Sequence, residues 1–101
     1  NALILTRDGI VWGVDKVTGR NVWPPVHFDR FLATPLLVND KAVVSDGIMG
    51  KRFALSTVDL KMGKKAIIDP NPKHGIIHIK ELGNGLVVGQ TIYSTVFAAR
   101  T

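Results

Sequence analysis

The sequence predicts an all-β fold of antiparallel meander strands. Val, Ile and Thr supply 28 of the 101 residues, whereas Glu and Gln occur once each, as Glu81 and Gln90. Side chains that suit a pleated sheet are therefore abundant, and good surface helix formers are scarce. Ten glycines and five prolines punctuate short apolar runs. Those runs recur about every 8–12 residues with a turn signal between each pair, and no segment of useful length shows the helical period.

The elements follow in order along the chain. Leu3 to Thr6 is an apolar run, Asp8-Gly9 is a tight-turn pair, and Ile10 to Val14 returns. Thr18-Gly19 is a second turn, and Asn21 to Trp23 is a short strand stopped by Pro24-Pro25. Residues 24–34 read as a loop. Pro35 to Val38, Asn39-Asp40 and Lys41 to Ser45 form strand, turn and strand. Asp46-Gly47 is expected to turn the chain again, with Lys51 to Val58 returning. The turn 61–64 precedes a strand at 66–68, and Asp69-Pro70-Asn71-Pro72 breaks the pattern. Ile76 to Ile79, the turn 83–85, Leu86 to Val88 and Thr91 to Ala99 complete about ten strands, grouped three, four and three.

Composition bounds the function. One hundred and one residues suit one domain. With 46% apolar and 21% charged residues and a mean hydropathy of +0.18, the chain is not of the disordered type. No apolar run reaches the ~18 residues a helical membrane span needs. The first residue is Asn1, and no charged-then-apolar leader opens the chain, as expected of a processed protein or of a segment expressed by itself. Cysteine is absent, which removes disulfides, thiolate metal sites and thiol nucleophiles.

An internal repeat underlies the strand grouping. Thr6 to Gly19 superimposes on a second segment, from Ser45-Asp46-Gly47 through 52–55 to Val58-Asp59-Leu60-Lys61-Met62-Gly63-Lys64. A third copy runs from Val88-Gly89 to Thr101, with Arg100 in the aspartate position. Asp15 and Asp59 lie 44 residues apart, and Asp59 and Arg100 lie 41 apart. A period near 40–45 with about four strands suits a β-propeller blade. The run Gly13-Val14-Asp15-Lys16-Val17-Thr18-Gly19-Arg20-Asn21-Val22-Trp23 resembles the tryptophan-docking repeat of the quinoprotein-like propellers, Ala-x-Asp-x-x-Thr-Gly-x-x-x-Trp. Asp15, Thr18, Gly19 and Trp23 match that pattern, and Gly13 replaces its alanine. The second copy keeps Asp59 and Gly63 but has Met62 for the threonine and Ile67 for the tryptophan.

The resemblance implies a single all-β unit of about two and a half blades: a partial blade over 1–28, a blade over 29–70 and a partial blade over 71–101. Such a segment does not close a propeller of four to eight blades by itself. It is a fragment of a larger propeller or assembles with further copies of itself. The alternative is that the ten strands form a small barrel or sandwich closed by oligomerisation. The motif residues Gly13, Asp15, Thr18, Gly19, Trp23, Asp59 and Gly63 are structural: the aspartate caps its turn, glycine takes positive φ, and the indole packs between sheets. The resemblance also implies a periplasmic, secreted or lumenal setting.

Other residue groupings are ordinary β-sheet features. His74 and His78 share one face of an expected strand about 13 Å apart, too far for a metal pair. His27 with Ser45 and Asp46 has the composition of a hydrolase triad but no nucleophile elbow. Gly47 to Lys51 ends like a phosphate loop but lacks the leading spacing and the helix. Met49 and Met62 are gap-fillers or exposed turn residues. No residue maps onto the quinone or calcium site that the resemblance would bring, so no cofactor and no metal is assigned.

The net charge of +5 lies wholly in residues 51–80, from Lys51, Arg52, Lys61, Lys64, Lys65, Lys73 and Lys80 against Asp59 and Asp69. These cations protect strand edges or offer a surface to an anionic partner. Only Phe53 supplies an aromatic ring there, too little for base stacking. The expected function is a non-catalytic repeat segment that acts as a protein-interaction or assembly scaffold, with a protein partner or further copies of itself. The alternatives are a piece of a quinone-dependent dehydrogenase and a small basic domain that binds nucleic acid.

Overall fold

The computed structural model describes residues 2–48, 52–69, 75–91 and 96–101. Among them are ten strands and no helix. They are β1 (Ala2–Arg7), β2 (Ile10–Asp15), β3 (Val26–His27), β4 (Leu36–Val38), β5 (Lys41–Ile48), β6 (Arg52–Asp59), β7 (Lys65–Asp69), β8 (Ile76–Gly83), β9 (Leu86–Thr91) and β10 (Val96–Arg100). Each strand pairs antiparallel with its neighbour in sequence. The result is three meander sheets, β1-β2-β3, β4-β5-β6-β7 and β8-β9-β10. Among the described residues they stay separate, and no closed barrel forms.

Local chemistry sets the hairpins. Asp8 and Gly9 both have positive φ (50° and 81°), as do Asn84 and Gly85 (53° and 77°). Two consecutive positive φ values match the twist of a two-residue hairpin, and Asp, Asn and Gly tolerate them best. Arg7 therefore pairs with Ile10, and Gly83 with Leu86.

The central sheet is covered on both faces. Along β5 every residue from Ala42 to Gly47 is buried. Ala42 and Val44, with Val58 of β6, pack against Val11, Trp23 and Val26 of the first sheet's segment. Val43, Leu55 and Val38 pack on the other side against Ile76 and Val87 of the third sheet. The period-2 alternation of β5 thus deals successive side chains to opposite cores. The outer sheets have one covered face, and β2 and β9 alternate buried with half-buried residues.

Four expectations change. The stretch 21–23 is not a strand; only Asn21 bridges Val14, and β2 pairs instead with Val26–His27. Pro24 and Pro25 cannot donate to a ladder, so pairing resumes after them, and the loop expected over 24–34 contains β3. Asp46-Gly47 is not a turn but part of β5, paired with Ala54 and Phe53; residues 49–51 lie outside the described residues. Thr91 belongs to β9, where it pairs with Ile76, rather than to the last strand; residues 92–95 of that expected strand lie outside the described residues.

Candidate functional site

Asp15 and Asp59 build the same turn. The Asp15 carboxylate accepts the N–H groups of Val17 (2.7 Å) and Thr18 (3.1 Å). The Asp59 carboxylate accepts those of Lys61 (2.8 Å) and Met62 (3.2 Å). In each copy the glycine four residues on, Gly19 or Gly63, donates its N–H to the aspartate carbonyl. The aspartate N–H in turn donates to the carbonyl of Arg20 or Lys64. The second copy is degenerate in sequence yet intact in geometry, because aspartate and backbone supply these bonds. The Thr18 hydroxyl adds an acceptor for the Arg20 N–H at 3.3 Å and a side-chain hydrogen bond to Asp15, neither of which Met62 can provide. The Thr18 N–H first, and the Val17 N–H second, hold the Asp15 carboxyl below its ordinary value: a hydrogen-bonded carboxylate resists protonation.

Trp23 joins the two turns. It is 6% exposed, and its Nε1–H donates to the Leu60 carbonyl at 3.0 Å, 37 residues away. Its six-membered ring lies over Gly13 and its five-membered ring over Gly63. A Cβ on either glycine would overlap indole carbons. Gly63 also has φ +67°, whereas Gly19 has φ +72° with open space around it. Space thus demands glycine at position 13, backbone conformation demands it at 19, and both demand it at 63. At Ile67, the position corresponding to Trp23 in the second copy, the side chain is 49% exposed.

Two further polar links cross between sheets, and neither was legible from motif spacing. The buried Asp46 carboxylate accepts the N–H groups of Asp29 (2.9 Å) and Arg30 (3.1 Å), docking the segment after β3 onto β5. Ser45, next along the strand and on its opposite face, donates its hydroxyl to the Ile76 carbonyl at 2.6 Å. A signal existed: polar residues inside the apolar run 42–48 need buried partners. Ser45 and Asp46 therefore serve different seams, and exposed His27 meets neither in the bonds they make. The hydroxyl of Ser56 is buried with no hydrogen-bond partner, beside a small cavity of about 140 Å³ that Asp29, Asp46 and Lys65 also line.

The basic residues are spread over two sheets. Lys61 and Lys64 are exposed in the Asp59 turn, Lys65 opens β7, and Lys80 lies exposed on β8. Lys65 is engaged: its Nζ donates to the His27 carbonyl at 3.4 Å and lies 4.2 Å from the centre of the Phe28 ring. Arg52 begins β6. Lys51 and Lys73 lie outside the described residues, as do Met49, Gly50 and His74. His78 is exposed on β8, and Met62 is 73% exposed in its turn. No group of three potential metal ligands occurs among the described residues, and no helix there is long and apolar enough to cross a membrane.

The chemistry of this arrangement is cohesive: an indole, three carboxylates and a hydroxyl each tie one segment to the next or close a turn. Compared with known proteins, the chain matches no family model, no curated protein and no solved structure.

Proposed function

We propose that the chain is a propeller-type repeat segment, resembling the quinoprotein-like repeats, that serves as a non-catalytic scaffold for protein interaction and assembly. One observation carries the reading. The same aspartate turn recurs after 44 residues with the same hydrogen bonds, and Trp23 of one copy sits on Gly63 and Leu60 of the next. Repeat sheets that stack this way bury their cores between units and leave the end faces and edges for partners.

Equilibrium unfolding of Trp23→Ala and Ile67→Ala tests the stacking. Truncating a buried tryptophan is expected to cost about 3–5 kcal/mol. Ile67→Ala, half exposed, is expected to cost under about 1 kcal/mol. Equal costs would overturn the scaffold role of Trp23. Binding of duplex DNA that weakens by about 10³-fold or more between 50 and 200 mM salt would replace this reading with the nucleic-acid one.

A further inference from the structure

The two outer faces of the stack are of opposite kind. Val11, Leu55 and Val96 each lie four residues before the turn-opening residue, Asp15, Asp59 or Arg100. The register agrees. Asp59 pairs with Lys41 beside the Leu60 N–H to Asp40 carbonyl bond, and Arg100 pairs with Leu86 beside the Thr101 N–H to Gly85 carbonyl bond. Val11 and Leu55 are 0% exposed, each buried against the following sheet, but Val96 is 64% exposed. Val88 likewise holds the position of Val43, which is 0% exposed. The outward face of the third sheet thus repeats a surface that is covered twice within the chain. Val88, Val96 and Ala98 form its apolar strip, with Lys80 and His78 alongside.

The outward face of the first sheet has the complementary kind. Trp12 and Val14 of β2 hold the positions of Ser56 and Val58 on the central sheet. Val58 is 0% exposed because the first sheet covers it, whereas Ile10, Trp12 and Val14 are only half-buried. These two faces lie on opposite sides of the central sheet, so they do not meet within the described residues. We infer that the third sheet of one copy docks on the first sheet of a second copy. Ile10, Trp12 and Val14 then cover Val88, Val96 and Ala98, continuing the stacking already present inside the chain. This rests on the scaffold reading. The contact is heterologous, so it closes as a ring or grows as a stack.

The test uses the whole chain and two face-specific variants. Val96→Lys, with Ala98→Lys as its second version, places a charge on the third-sheet face. Trp12→Lys, with Val14→Lys as its second version, does so on the first-sheet face. Circular dichroism selects the versions that keep the wild-type spectrum. Light scattering over a concentration series from about 1 µM to about 1 mM then gives the mass. The wild type is expected to exceed dimer mass as concentration rises. Each variant alone is expected to associate at least about 100-fold more weakly, because an unpaired ammonium is buried in the contact. Mixed in equal amounts, the variants retain one good face each and are expected to form a dimer that grows no further.

A wild type that is monomeric throughout overturns the inference. So does a Trp12→Lys variant that still dimerises while Val96→Lys does not, since that pattern means two identical faces meet. So does a mixture that yields no dimer. A monomeric wild type still destabilised by Trp23→Ala would remove the second copy as partner and leave the scaffold reading standing.

Discussion

Three glycines with three different duties show how finely single residues are set here. Gly19→Ala places a Cβ in left-handed backbone with nothing nearby, so it is expected to cost about 1–2 kcal/mol. Gly13→Ala keeps its backbone conformation but drives a methyl group into the indole, an overpacking cost of about 1–3 kcal/mol. Gly63→Ala combines both faults and is expected to cost about their sum. Denaturant midpoints with unchanged slopes would verify the order, and a Gly19 variant as damaging as the Gly63 variant would contradict it. The lowered Asp15 pKa belongs to the same scale. Its carboxylate is favoured by folding, so that contribution is complete above about pH 4 and is lost as pH falls through the lowered folded value. The difference in melting temperature between wild type and Asp15→Asn is therefore expected to be widest near neutrality and to shrink below about pH 4. A difference that stays constant down to pH 2 would mean the charge of Asp15 contributes nothing.

At the scale of elements, much of the fold was legible because local turn chemistry and strand alternation agree. The Asp8-Gly9, Asn39-Asp40 and Asn84-Gly85 pairs each connect two strands at the predicted places, since few residues other than Asp, Asn and Gly accept the positive φ of Asp8, Gly9, Asn39, Asn84 and Gly85. Two of the strand ends that differ are also set by tertiary contacts. Asp46 has turn propensity, but two N–H groups from the segment after β3 reach its carboxylate, and β5 continues through it. Asn21 to Trp23 has strand composition, yet the indole is drawn down onto Gly13 and Gly63 and the ladder restarts at Val26. The dock itself was half legible. Asp15, Gly19 and Trp23 stand out by spacing, whereas the Leu60 carbonyl that receives the indole N–H is a backbone group and leaves no trace in sequence. Gly13 was legible only as a small residue. Its need for no side chain at all comes from the plane of the ring above it.

For the molecule as a whole, the consequence of stacking is unequal protection. Among the described residues the two buried cores join each outer sheet to the central one, so stability is expected to be the sum of sheet and seam contributions, as in other linear repeats. The central sheet shares in both seams: Trp23, Asp46 and their neighbours on one side, Ser45, Leu55 and Ile76 on the other. The first and third sheets share in one seam each. Opening either outer sheet breaks one seam, whereas exposing the ladder between β5 and β6 breaks both. Native-state hydrogen exchange at concentrations low enough to hold the chain monomeric should therefore find the slowest amides in β5 and β6, with β1 and β10 exchanging faster by at least about tenfold. Asp46→Ala is expected to widen the gap for β1 and β2 while leaving β8 and β9 unchanged, because it severs only the link to the segment after β3. Uniform exchange across all three sheets would mean that they open as one cooperative unit. The seams would then be too strong for an outer sheet to open alone, and the additive, sheet-by-sheet account would fail.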